Sequence, residues 1–367
     1  MEEKKCCCCC GGSLEECGAE SGTGPPWVSG YVDTPAGKVP VISSELSLHD
    51  LIGAVCMRLS LGRDRYRVDP GLYALGAPGD SSPVLVTANY KMTFDVLRKS
   101  LKDRNVWLLV LDTKGINVWC AAGKGTFGTE ELIRRISETG LDKVVSHRSL
   151  VLPQLGAPGV AAHVVRKETG FKVNYGPIRA GDIPRYLNNG MKVSAEMRKV
   201  TFTMSERLVL IPVELMASLK LTLAALAVTL VLGGLSLKGF SVEKALSIGV
   251  YGFILYIAGL VCGAVFVPAL LPYIPGRAFS HKGFIAGVAV AWLLAAIAGK
   301  GMLASLSSLL IISSVSSFFA MNFTGATPFT SLSGVKREMA IAVPVQITVM
   351  IIGAVLWKVA GSAQEGL

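Results

Sequence analysis

The chain has 367 residues, 51% of them hydrophobic, and a net charge of +10 at pH 7. Its mean hydropathy of +0.50 is too high for a purely soluble protein of this size. The positive charge is scattered over a mixed amino-terminal half and the flanks of later apolar runs, with no stripe of interleaved basic and aromatic residues, which argues against nucleic-acid binding.

The chain starts Glu2-Glu3-Lys4-Lys5 and leads into cysteines rather than an apolar core, so no signal peptide is expected. Residues 1–38 read as a disordered Cys/Gly-rich tail. Adjacent cysteines cannot supply the spaced ligands of an iron–sulfur cluster or zinc ribbon. The Cys6–Cys10 run is therefore either a scavenger of soft metal ions or an accident of composition. Cys17, Cys56, Cys120 and Cys262 suggest no disulfide framework, which points to a reducing compartment. Cys56 and Cys262 sit in apolar segments and read as packing residues.

Residues 39–195 read as an α/β domain. Val84–Ala88 is a buried strand, and Thr93–Leu101 is a helix turning Phe94, Leu97 and Leu101 inward. Val106–Leu111 is the next strand and Thr129–Ser137 a capped helix. Lys143–Ser146 is strand-like, Val160–Thr169 helical, and Phe171–Asn174 strand-like again. This alternation predicts a parallel or mostly parallel Rossmann-like sheet with helices on both faces. Right-handed crossovers would gather four loops on one edge: Asn89 to Lys91, Thr113 to Gly125, His147-Arg148, and Gly176 to Arg179. A single site built from these loops is expected there.

The loop after Val106–Leu111 carries Asn117-Val118-Trp119-Cys120-Ala121-Ala122-Gly123-Lys124. It fails as a P-loop, which would need glycine at Val118 and Ser or Thr at Gly125. It fails as a dinucleotide fingerprint, whose glycines should follow the strand at once. A cysteine-protease reading would have to draw its histidine from His147 or His163. The histidine-ligated cobalamin signature Asp-x-His-x-x-Gly does not occur. What remains is a short helix with Asn117 as its cap, Cys120 near its start, and Gly123 and Gly125 ending it. A helix start favours a thiolate, the metal-binding form of cysteine. On residues alone, Cys120 is either such a ligand or a structural cysteine.

Residues 196–207 read as a linker and 208–362 as an all-α transmembrane domain of five helices. Spanning takes roughly 20 apolar residues. The runs are Leu208–Leu235, Ala245–Leu271, Gly283–Gly299, Met302–Met321 and Met339–Ala360. With no export signal, the α/β domain should stay cytoplasmic at an inner, multi-pass membrane. Arg198, Lys199, Arg207, Arg277, Lys282, Lys336 and Arg337 would then lie inside, against Lys238, Lys244, Lys300 and Lys358 outside. Glu214 and Lys220 within the first run read as interfacial or paired, or as a transport path. The serines of the fourth run read as close helix packing. The polar loop Asn322 to Ser331 would face the soluble domain or a partner.

The segment Asn117–Lys124 resembles the cap-helix motif of the mercury-methylating corrinoid proteins, the HgcA family. Ser82–Lys91, the Gly-Ala-Pro-Gly of Gly156–Gly159 and Tyr175–Arg179 are similar to the corrinoid domain that family shares with the corrinoid iron–sulfur protein of the acetyl-CoA pathway. The resemblance covers roughly residues 40–360. It implies a base-off, cobalamin-type corrinoid whose cobalt is ligated by Cys120, and methyl transfer from cobalt to Hg(II). It also implies a ferredoxin-like electron donor, HgcB, and a methyl-donor protein or methyl-folate system. Asn117 would position the helix, and Val118, Trp119, Ala121, Ala122, Gly123 and Lys124 would shape the lower face of the corrin. Thr87, Asn89, Thr113, His147, Arg148 and Ala157 are candidate contacts to its amide and phosphate groups, although His147 and Arg148 read equally well as solvated loop residues. The alternatives are a membrane corrinoid carrier in one-carbon metabolism and a transporter with a regulatory cytoplasmic domain.

Overall fold

The computed structural model describes residues 25–59, 61–62, 66–236, 239–299, 301–323 and 332–364. The Cys6–Cys10 run, Cys17, Lys238, Lys300 and all but the first two residues of the Asn322 to Ser331 loop lie outside them. The chain divides into two compact units, Met1–Val200 and Thr201–Leu367.

The first unit is a seven-stranded mixed sheet covered by helices. In chain order it contains β1 (Val28–Thr34), β2 (Gly37–Ile42), α1 (Leu48–Arg58), β3 (Gly71–Leu75), β4 (Val84–Ala88) and α2 (Lys91–Ser100). Then come β5 (Val106–Leu111), α3 (Val118–Lys124), α4 (Thr129–Glu138), α5 (Leu141–Val144), β6 (Ser149–Leu152), α6 (Ala162–Thr169), β7 (Lys172–Tyr175) and α7 (Ile183–Asn188). The strand order is β1-β2-β3-β5-β4-β6-β7. β5, β4, β6 and β7 run parallel. Strands covered on both faces carry unbroken apolar runs, and every residue of β4 and β5 is buried. Alternate side chains enter two cores. Val84, Val86, Leu109 and Leu111 pack with Ala121 of α3, Leu132 of α4 and Val165 of α6. Leu85, Leu108 and Val110 pack with Phe94 of α2 and Tyr186 of α7.

Three expectations need correction. Residues 28–38 are not tail: β1 and β2 form an antiparallel hairpin turned at Gly37, whose φ of 116° suits glycine. The sheet is mostly parallel, as expected; its antiparallel pairs are β1–β2 and β3–β5. Lys143–Ser146 is not a strand. Residues 141–144 form the short helix α5 after Gly140 in the left-handed region, and Arg148 donates to the carbonyls of Val145 and Asp142 to close the turn. The strand is β6, several residues later. Finally, residues 196–207 hold a 3₁₀ turn and the start of a helix, Met204–Leu208, capped by Thr203 and Glu206.

The second unit has five helices long and apolar enough to cross a membrane: Met204–Gly234, Val242–Ala269, Phe279–Ala298, Met302–Asn322 and Ser333–Ala363. The fourth is the most enclosed. Its serines pack as expected: Ser316 Oγ donates to Gly283 O (2.7 Å) and Ser317 Oγ to Ser280 O (2.8 Å). A Cβ at Gly283 would lie 2.6 Å from Ser316 O, so only glycine admits this approach. Of the charged residues in the first span, Lys220 is exposed on the helix surface and Glu214 half-buried.

Candidate functional site

The carboxyl ends of β4, β5, β6 and β7 share one edge of the sheet, and the cap helix α3 lies there. The turn leading to it is held from within. Asn89 Oδ1 accepts hydrogen bonds from the backbone N–H groups of Thr113 and Gly115 (3.0 Å each), and Thr113 Oγ1 lies 2.8 Å from it. Asn89 Nδ2 donates to Asp112 (3.1 Å), and Glu131 of α4 accepts from the Asp112 N–H (2.8 Å). Burial pushes the Asp112 carboxyl up, but hydrogen bonds from Lys114 and Asn89 outweigh it and lower the pKa.

Asn117 then caps α3, its Oδ1 accepting from the Cys120 N–H (2.9 Å), and Gly125 ends the helix at φ 81°. Positions 118, 121 and 122 share one helical face. Val118, Ala121 and Ala122 are buried, while Trp119, Cys120, Gly123 and Lys124 are exposed. The Cys120 thiol is free. A Cβ at Gly123 would meet no described atom within 4 Å, so the space over this face is open.

The 3₁₀ turn Gln154–Gly159 supports the helix from below. A Cβ at Gly159 would lie 2.1 Å from Phe127 O and 3.1 Å from Ala122 Cα; one at Gly156 would lie 2.5 Å from the Phe127 ring. Both glycines of the Gly-Ala-Pro-Gly segment are needed for this seat. Beside the helix opens a largely apolar cavity of about 470 Å³, walled by Thr87, Asn117, Trp119, Pro153, Leu155 and Pro177 among others. Cys120 is not in its wall but adjoins Trp119, which is, and Ala157 lies on the supporting turn. Among the described residues no group of three or more His, Cys, Asp or Glu side chains comes together to hold a metal ion.

The structure thus brings Thr87, Ala157 and Asn117 through Lys124 to one edge. Four other expected contacts are corrected. Asn89 and Thr113, 1% and 0% exposed, spend their polar atoms on the turn itself. His147 and Arg148 precede β6 and lie at the opposite edge, where His147 Nε2 is 2.9 Å from Ser82 O and Arg148 stacks over Phe171. Sequence reasoning missed Leu155 as a cavity wall, while Tyr90, from the expected Asn89 to Lys91 loop, does line it. Placing β6 at Ser149–Leu152 would have found Leu155, because its following loop then falls at the site edge.

Residues 45–187 match the family model described as CO dehydrogenase/acetyl-CoA synthase delta subunit. Similar curated proteins include the acetyl-CoA decarbonylase/synthase complex subunit gamma of Archaeoglobus fulgidus, 32% identical over 152 residues, covering 40% of this chain and 32% of that protein. The corresponding subunit of Methanopyrus kandleri is 35% identical over 127 residues (34% of this chain, 27% of that protein), and that of Methanocaldococcus jannaschii 34% over 135 (36% and 27%). The chain spans about a third or less of the length of these relatives. The residues matched by the family model fall within the α/β unit. They agree with the expected kinship to the acetyl-CoA pathway's corrinoid domain.

Proposed function

We propose that this chain is a membrane-anchored corrinoid methyltransferase that passes a methyl group to Hg(II), with the Cys120 thiolate as the lower ligand of cobalt. The observation that carries the reading is the placement of Cys120: exposed on an Asn-capped helix at the ligand edge of the sheet, one turn before Gly123, whose surroundings are open. These residues fit a broad, flat group. Ala121 and Ala122 keep the helix low, Gly123 presents no side chain, and Trp119 offers an aromatic flank. Asn117 fixes the helix start that orients Cys120, while the neighbouring apolar cavity suits an appended aromatic base or tail. When bound, a corrinoid would supply a cobalt-carried methyl group, and the Cys120 thiolate would hold its cobalt as an electron-donating ligand. The sequence has no iron–sulfur motif, so reducing electrons would come from a ferredoxin-like partner such as HgcB, and the methyl group from a methyl-donor protein or methyl-folate system. The five spans would hold the chain in the inner membrane with the α/β unit in the cytoplasm.

Cys120→Ala should abolish mercury methylation and alter the visible spectrum of the anaerobically purified protein while leaving it inserted in the membrane. Methylation at the wild-type rate would refute the ligand role. Lys124→Ala should do less harm. A second reading, a membrane methyl carrier in one-carbon metabolism, is favoured by the acetyl-CoA complex relatives. Supplying Hg(II) and a low-potential reductant to membranes separates the two: the carrier reading expects no methylmercury.

A further inference from the structure

In the α/β unit, α1 is turned inside out. Its inward side is ionic: Asp50, 4% exposed, pairs with Lys91 and Arg98 of α2. Its outward side is apolar. Leu48, Leu51, Ile52 and Val55 are 72%, 50%, 44% and 53% exposed, and their i, i+3, i+4, i+7 spacing makes them one stripe along the helix. Leu61, beyond its carboxyl end, is exposed as well. A surface helix ordinarily turns such a stripe to the core, and a contiguous apolar patch left outside marks a surface that something else covers.

The position of α1 in the fold says what. Arg98 also donates to the carbonyls of Ser43 and Glu45, just ahead of α1, so α1 and α2 lie on the same face of the sheet. On that face Phe94 and Leu97 of α2 share one core with Tyr186 of α7 and with Met197. Met197 is three residues from Val200, where the unit ends, and the first span begins at Met204. The four steps from Val200 to Met204 reach at most about 14 Å, so the chain leaves this face and meets the bilayer within that distance. Lys99 of α2 and Arg198 and Lys199 at the exit are exposed, beside the carboxylate of Glu196. That cationic balance suits phosphate headgroups.

We propose that α1 docks on the lipid bilayer as an in-plane helix, with Leu48, Leu51, Ile52 and Val55 sunk to the level where headgroups meet acyl chains. The α/β unit then rides on the membrane by the face that carries α1 and α2. The inference rests on reading the second unit as membrane-spanning and is independent of the cofactor and of the methyl acceptor. In-plane helices bury their apolar face roughly 5–10 Å into that boundary, which is deep enough to cover this stripe. Four side chains would hold a free domain to lipid only weakly. A domain joined so closely to a span has the bilayer at high effective concentration, and a weak contact then suffices.

The test uses the full chain in nanodiscs of phospholipid brominated on its acyl chains, against the unbrominated lipid, with tryptophan emission as the readout. Trp292, 71% exposed on the third span, checks the membrane reading separately: brominated lipid should quench it, and Trp292→Phe should remove that quenching. Were Trp292 untouched by the lipid, the membrane reading itself would fall and the docking with it. With Trp292 quenched, Leu51→Trp should add emission that brominated lipid quenches and aqueous acrylamide does not. Lys167→Trp, exposed on α6 at the opposite face of the sheet, should behave the other way round. Adding Leu48→Glu and Val55→Glu to Leu51→Trp should abolish the lipid quenching and admit acrylamide. Emission from Leu51→Trp that acrylamide quenches would mean that α1 faces water, and emission that neither agent reaches would mean that a protein covers the stripe. Either result overturns the proposal, as does lipid quenching undiminished by the two glutamates.

Discussion

The α/β unit and the fourth span of the second unit bury polar side chains in opposite ways. In the α/β unit, four ionised groups form a closed network. Asp50 of α1 takes Lys91 (2.6 Å) and Arg98 (2.7 Å), and Asp95 takes the same two cations (2.5 and 2.8 Å). Arg98 is 0% exposed and adds hydrogen bonds to the Ser43 and Glu45 carbonyls, so that one guanidinium ties α2 to the approach of α1. In the membrane unit, the buried polar groups of the fourth span are hydroxyls, bonded to backbone carbonyls and to one amide. The surroundings decide which is tolerable. Ionic groups at the centre of a bilayer are expensive, whereas hydroxyls cost little once each finds a carbonyl. In a water-surrounded domain a charged cluster persists when every member is paired, and losing one member is worse than never having had the set.

The largest expected effect breaks the ionic side of this contrast. Arg98→Met leaves two buried carboxylates with Lys91 alone and should destabilise the α/β unit by about 3–5 kcal/mol, read by denaturant unfolding. A smaller effect comes from acid. Burial alone would raise the Asp50 pKa, but hydrogen bonds from Lys91, Ser47 and Arg98 outweigh it and hold the carboxyl well below the usual carboxylate range. A depressed native pKa means that this stabilisation is fully present above the unfolded value of about 3.9 and drains away as pH falls through the native one. Unfolding midpoints of the wild type should therefore drop below about pH 4, and those of Asp50→Asn much less. The smallest effect is in the bundle: Ser316→Ala should cost about 0.6 kcal/mol in a membrane-protein unfolding assay. A loss as large as that of Arg98→Met would collapse the contrast.

Much of the fold was legible because its signals are local. β4 and β5 coincide with the apolar runs Val84–Ala88 and Val106–Leu111, and Asn117 caps the helix its side chain suggested. Other parts were not. The β1–β2 hairpin follows directly on a Cys/Gly-rich stretch, and its partner β3 is distant in sequence. The capping box of Ser47 and Asp50 does mark α1, but the ionic network that anchors it depends on α2. At Lys143–Ser146, the Val144-Val145 pair reads as a strand until Arg148 closes the turn beneath it. That displacement of a few residues moved His147 and Arg148 to the wrong edge of the sheet.

Periodicity and length by themselves determined the α/β alternation, the five spans and the capped cysteine, since each rests on neighbours a few residues apart. Only the tertiary structure decided which edge each loop occupies, that Asn89 and Thr113 turn inward, and that Gly156 and Gly159 lie under the cap helix. Those outcomes follow from contacts between segments tens of residues apart, where packing and hydrogen-bond satisfaction outrank local preference.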